Sequence, residues 1–221
     1  MQMTPIQACI FDMDGVLLDS ERFLREIVLS VSKELGYTIS DEVYLACVGR
    51  NERDVRTILE KRVSRDFPHD EVLNRVNRRV ESALASDGWP LKPGVVEALQ
   101  KILDNDLRLC VATSTAQPLA HERLTSANIR HFFEHISGGD EVARGKPDPE
   151  IFLLAAERLK LPPAECIVIE DSEYGAQGAL TAGMQCVMVP DLKIPPEWIR
   201  PQLRGVFDDL ESATSHITSQ L

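Results

Sequence analysis

The sequence predicts an α/β fold: a doubly wound parallel sheet, Rossmann-like, with an all-helical domain inserted after the first strand. Three observations carry this. Short, nearly continuous apolar runs recur at 8–11, 107–112, 135–137, 166–169 and 186–189. That is the pattern of strands buried on both faces. Helical stretches at 95–105, 118–127, 149–159 and 174–182 alternate with the later strands, as a parallel sheet with helical crossovers requires. The stretch 16–91 carries helix signals and no convincing strand. It is too long for a crossover and reads as an insert.

The insert divides into four helices. Ser20 is placed to cap the first, in which Phe23, Leu24, Ile27, Val28, Val31 and Leu35 form one apolar face and Gly36 ends it. A second begins at Asp41, a third spans 51–63 and a fourth 70–85. The expected joints lie near Val16 and near Leu91. Residues 1–15 with 92–221 would then form the sheet domain, and 16–91 the helical one.

Composition excludes several classes. Of 221 residues, 43% are hydrophobic and 27% charged, which is globular rather than disordered usage. The net charge of −11 offers no electrostatic footprint for nucleic acid or an anionic membrane surface. No apolar run approaches the length of a membrane-spanning helix, and the first residues lack the basic and apolar regions of a secretory leader. The five cysteines are widely spaced, and Cys9, Cys110, Cys166 and Cys186 fall in strand-like runs. They read as reduced core thiols, which favours a cytoplasmic location. Residues 16–91 hold 12 basic and 14 acidic side chains, the remainder 12 and 21. Ten of the insert's basic residues are Arg, which suit either a solvated surface or an anionic substrate.

Four segments at strand ends carry candidate chemistry. The first holds Asp12, Asp14 and Gly15. The two carboxylates are one residue apart, so they need a turn to reach one site, and Gly15 allows it. Alone, this pattern is equally an ordinary turn. The second is Thr113, Ser114 and Thr115, hydroxyls that alone read as helix caps. The third is Lys146 before Pro147, alone a solvated charge; the bond between them is expected to be cis. The fourth is the adjacent pair Glu170 and Asp171 ending an apolar strand, where carboxylates are costly without a cation. His131 and His135 are four apart, but the intervening Phe132 and Phe133 argue against a metal there. Trp89 and Trp198 are expected at a domain joint and a loop.

Taken together, acid pair, hydroxyl, lysine and acid pair on one rim of one sheet resemble the haloacid dehalogenase-like hydrolase superfamily. The likeness covers nearly the whole chain. The run Asp12, Asp14, Gly15, Val16, Leu17, Asp19, Ser20, Glu21 with a helical insert behind it is similar to the subgroup of β-phosphoglucomutase and sugar-phosphate phosphatases. The resemblance implies that Asp12 is a nucleophile forming an aspartyl-phosphate and Asp14 an acid, then a base. It implies that Thr113 binds the phosphoryl oxygens and that Lys146 neutralises charge. It assigns Mg²⁺ to Asp12, the main-chain carbonyl of Asp14, Asp171 and Glu170. The insert becomes a cap over a small phosphorylated substrate.

Physical chemistry agrees with these roles. A divalent cation and a lysine offset the repulsion between a carboxylate and a phosphate. An all-oxygen ligand set favours Mg²⁺ over Zn²⁺. Ser114 and the cap-loop residues Arg50, Asn51 and Arg53 are the candidate substrate contacts. Mutase activity is the rival reading, yet the histidine that β-phosphoglucomutases place five residues after the match to Asp19 is Leu24 here. Their cap arginine aligns with Glu52, beside Arg53. A phosphate-binding module without catalysis is the other rival. A monomer is expected.

Overall fold

The computed structural model describes residues 5–48 and 52–221. Among them, six strands form one parallel sheet of order β3-β2-β1-β4-β5-β6. These are β1 (Ala8–Phe11), β2 (Arg108–Ala112), β3 (His135–Ser137), β4 (Cys166–Glu170), β5 (Gln185–Met188) and β6 (Gly205–Val206). The helices of the sheet unit are α5 (Val95–Leu103), α6 (Gln117–Ser126), α7 (Glu150–Leu159), α8 (Glu173–Thr181) and α9 (Leu210–Thr218). The fold is therefore the predicted one, with β6 added at the edge. Two residues are too few for a periodicity, so β6 left no trace in the sequence.

Strand residues alternate between two buried faces. On one face Ala8, Ile10, Cys110, Ala112, Cys166 and Val168 pack with Ile151, Phe152 and Ala155 of α7 and Ala176 and Ala179 of α8. On the other, Phe11 meets Phe133 edge to face, ring centroids 6.1 Å apart. Pairing registers Phe11 with Val111 of β2 and with Ile169 of β4. The three central strands thus end level with one another. That register sets Asp12, Ala112 and Glu170 level at one rim, with Thr113 one residue beyond Ala112.

The chain divides into two compact units, Met1–Asp19 with Trp89–Leu221 and Ser20–Gly88. The division falls beyond the expected joint at Val16. Val16, Leu17 and Leu18 are fully buried with the sheet unit, and Leu18 forms an isolated bridge with Leu91. The insert contains α1 (Ser20–Glu34), α2 (Asp41–Cys47), α3 (Glu52–Arg62) and α4 (His69–Asp87). Its own core gathers Ile27 and Val31 of α1, Val43 of α2, Leu59 of α3, Phe67, and Val72 and Val76 of α4. Ser20 does not cap α1. It lies inside the first turn, and its hydroxyl is buried without a partner among the described residues. Gly36 follows the helix with φ +86°, as a stop signal requires. Ser40 caps α2 by accepting from the Val43 amide at 3.3 Å.

Phe152 is fully buried between the sheet and α8. Phe152→Ala is expected to lower the unfolding free energy by about 3–5 kcal/mol, read by urea denaturation.

Candidate active site

Asp12 follows β1 directly, and its amide still donates to the Ile169 carbonyl at 3.0 Å. The chain then turns tightly. The amides of Leu17 and Leu18 both donate to the Met13 carbonyl, and that of Gly15 to Leu18. Gly15 has φ +87°, and a Cβ there would stand 2.5 Å from Asp171 Oδ2. Glycine is needed both for the backbone and for the close approach of Asp171. The turn that the sequence requires at Gly15 is present.

Lys146 joins the strand ends. Its Nζ donates to Asp12 Oδ1 at 2.5 Å, to Glu170 Oε1 at 2.6 Å and to the Ala112 carbonyl at 3.1 Å. The Phe152 ring lies beneath it at 5.2 Å. The Lys146–Pro147 bond is cis. Glu170 is fully buried. Its Oε2 accepts from the Asp171 and Ser172 amides, both at 3.0 Å, and from the Ser172 hydroxyl at 2.9 Å. Ser172 in turn caps α8 by accepting from the Gly175 amide at 3.1 Å. Both oxygens of Glu170 are thus engaged.

Asp12, Glu170 and Asp171 form a group whose carboxylate oxygens lie within 4.8 Å of one another. One ammonium faces three carboxylates. Burial pushes Asp12 up to about 7 against the pull of Lys146, with Glu170 adding to the rise. Burial, then the charges of Glu170 and Asp12, push Asp171 well above the usual carboxylate range. Burial works against the Lys146 ammonium, but Asp12 and Glu170 together raise it above its ordinary value. The cluster is all oxygen, with Asp12 and Glu170 buried and Asp171 partly exposed, and it is short of positive charge. It fits a hard divalent cation.

Thr113 is buried at the end of β2. Its amide donates to the Ser137 carbonyl at 3.0 Å and its Oγ1 accepts from the Thr115 amide at 3.1 Å. Ser114 is exposed beside it. Asp14 has donors of its own: Thr115 donates to its Oδ2 at 3.0 Å and Arg123 Nη1 to its Oδ1 at 3.1 Å. Thr115 and Arg123 were not among the expected site residues. Thr115 stood in the hydroxyl run and was readable. Arg123 is one charged residue of a helix and carries no local signal. Arg50 and Asn51 lie outside the described residues, and Arg53 is described only as part of α3. His131 stacks on Phe132 with ring centroids 4.3 Å apart, and His135 starts β3.

The comparisons agree with this geometry. A family model, haloacid dehalogenase-like hydrolase, matches residues 9–189. A phosphorylated carbohydrates phosphatase of Thermotoga maritima is 36% identical over 183 residues, covering 81% of this chain and 83% of its own. The crystal structure of a haloacid dehalogenase family hydrolase from Deinococcus radiodurans, with bound phosphate and sodium, superposes with a TM-score of 0.85. It is 25% identical, over 98% of each chain. A crystal structure from Thermotoga maritima, provisionally named a β-phosphoglucomutase, gives 0.81 at 30% identity over 98% of this chain and all of that one. The chain belongs to the haloacid dehalogenase-like hydrolase family. It is a phosphatase of that family.

Gly175 makes room for Glu170, since a Cβ there would fall 1.7 Å from Oε1. Gly175→Ala is expected to destabilise by at least about 1–3 kcal/mol. Gly145→Ala, whose methyl meets nothing within 4 Å, should leave stability unchanged. Thermal melts of the two variants check this.

Proposed function

We propose that the protein hydrolyses a small sugar phosphate with Mg²⁺, through an aspartyl-phosphate on Asp12. The observation that carries the reading is Lys146 Nζ bonded at once to Asp12 and Glu170 at the ends of neighbouring strands. Lys146 holds Oδ1 of Asp12 and leaves Oδ2 to attack phosphorus. The bond from phosphorus to the ester oxygen breaks as the new P–O bond forms. Asp14 gives its proton to the departing alkoxide. Asp14 then takes a proton from water, whose oxygen attacks the aspartyl-phosphate and releases inorganic phosphate and Asp12. Thr113 donates its hydroxyl to a phosphoryl oxygen.

Asp12 and Asp171, with Glu170 completing the cluster and the Asp14 carbonyl alongside, would hold the cation. Bound there, Mg²⁺ supplies positive charge against the phosphoryl oxygens and the nucleophile. The sugar-phosphate assignment draws on the name of the Thermotoga maritima relative. Arg50, Asn51 and Arg53 stand as candidates for contacts with the non-reacting end of the substrate, and Ser114 for the phosphate. Leu24, where mutases carry histidine, supports hydrolysis over phosphoryl return.

Asp12→Asn is expected to lower phosphate release by about 10³-fold or more across a panel of sugar phosphates. Undiminished turnover in that variant would overturn the nucleophile assignment. In the same panel, interconversion of β-glucose 1-phosphate and glucose 6-phosphate faster than phosphate release would replace hydrolase by mutase.

Cation binding should depend on pH. Asp12 is raised in the fold to about 7, so it favours the folded state at low pH, and that contribution is lost as pH rises through the raised value. The cation needs the carboxylate. The Mg²⁺-induced rise in Tm is therefore expected to be small well below pH 7 and to grow above it. Differential scanning fluorimetry with and without EDTA reads this independently of turnover.

A further inference from the structure

Asp14 is placed by two donors that belong to neither the lysine nor the acid cluster. Thr115 Oγ1 holds Oδ2 at 3.0 Å and Arg123 Nη1 holds Oδ1 at 3.1 Å. Arg123 comes from α6. Its guanidinium carbon lies 4.4 Å over the ring of Trp89, a buried residue just before the bridge at Leu91. Its Nε is buried without a partner among the described residues. The tryptophan thus restrains the guanidinium over its ring, and the guanidinium holds one oxygen of the carboxylate.

We propose that Arg123 is a positioning residue for Asp14, set by Trp89, and that it serves chiefly the second half of the reaction. The inference rests on the reading of Asp14 as the group that moves the proton. With a donor on each oxygen, the carboxylate cannot rotate freely. One of its free lone pairs is aimed while the donors stay in place. An arginine keeps its charge, so it orients the carboxylate without competing for the transferred proton. That arrangement suits the step in which Asp14 accepts a proton from the water attacking the aspartyl-phosphate.

A purely structural role is the weaker account. The side chains of Arg123 and Asp14 are 19% and 26% exposed, and such partly solvated pairs add little to stability. The stacked tryptophan adds a second, independent restraint on the guanidinium. A lysine would carry the charge but neither the plane nor the fork.

The test uses p-nitrophenyl phosphate, whose leaving group needs no proton. In Arg123→Met, formation of the aspartyl-phosphate should stay fast while its hydrolysis slows. Stopped-flow should then show a burst of nitrophenolate near one equivalent per enzyme. Steady-state kcat should fall by about tenfold or more, with KM changed far less. Arg123→Lys should recover only part of the loss. In an Asp14→Asn background, Arg123→Met should cost nothing further, because the residue acts through Asp14.

A full additional loss in that background, or wild-type kcat in Arg123→Met, overturns the inference. Thermal melts of each variant separate misfolding from mispositioning. Should Arg123→Met fail to fold, Trp89→Leu asks the same question from the other side of the stack, with the same burst and the same outcomes. If Asp14→Asn itself turned over like wild type, the reading of Asp14 would fail instead, a result distinct from failure of the arginine.

Discussion

One buried ammonium lies at the centre of the molecule's chemistry. Lys146 Nζ touches Asp12, Glu170 and the Ala112 carbonyl, which end three adjacent strands. Without it, buried carboxylates would meet at the rim of an apolar sheet, where isolated charge is very costly. The lysine alone does not balance them. Glu170 is therefore held from its other side by two backbone amides and a hydroxyl at the start of α8. Gly175 has no side chain because Glu170 occupies that space. The glycine, the capping serine and the acid are one device. Asp12 and Asp171 receive no such backbone support in the bonds described, and they are the acids whose carboxyls burial and crowding drive upward. The deficit of positive charge is left where a cation and a phosphate would meet.

The sheet explains why these groups converge. β1 lies between β2 and β4, so the order changes direction there. Chains leaving neighbouring strands at such a point turn to opposite sides and open a crevice beyond the carboxyl ends. The in-register pairing of Phe11 with Val111 and Ile169 makes the strand ends level. A shift of one residue would send the next side chains to opposite faces and disperse the site. Packing of the sheet on α7 and α8 fixes that register, and Phe152 ties the packing to the chemistry by lying beneath the lysine.

Much of this was legible from residues. Strands buried on both faces show as apolar runs, so β1 and β3 fall where the runs predict and the others shift by a residue. Asp12, Glu170 and Asp171 were readable because charge at the end of an apolar strand demands an explanation, whereas Lys146, alone a solvated charge, was readable only through the joint pattern. β6 was not readable, since Gly205 and Val206 pair at an edge without a pattern. The compact units divide at Asp19, three residues past the expected joint near Val16, because Val16, Leu17 and Leu18 are buried with the sheet unit. Their backbone closes the turn on Met13. Ser20 fits a cap by composition, yet it is already inside the first turn. Arg123 and Trp89 stayed hidden because their meeting is tertiary. Thirty-four positions of chain separate them, and no local period links a helix arginine to a tryptophan where the chain re-enters the sheet unit.

The cysteines show how narrow the conditions for a nucleophile are. Cys9 lies on β1, three positions before Asp12, and Cys110, Cys166 and Cys186 lie on neighbouring strands. All four are buried free thiols. Burial pushes the Cys110 thiol up to about 12 and that of Cys166 to about 11, and raises Cys9 and Cys186 as well. A thiol that cannot ionise does not attack. The same burial raises Asp12 by a similar margin, to about 7. What separates them first is the starting point, since a carboxyl is far more acidic than a thiol before burial acts. The ammonium 2.5 Å from one carboxylate oxygen then opposes any further rise. The sheet supplies a dry environment to every residue in it, and intrinsic acidity together with Lys146 sets which anion can exist there.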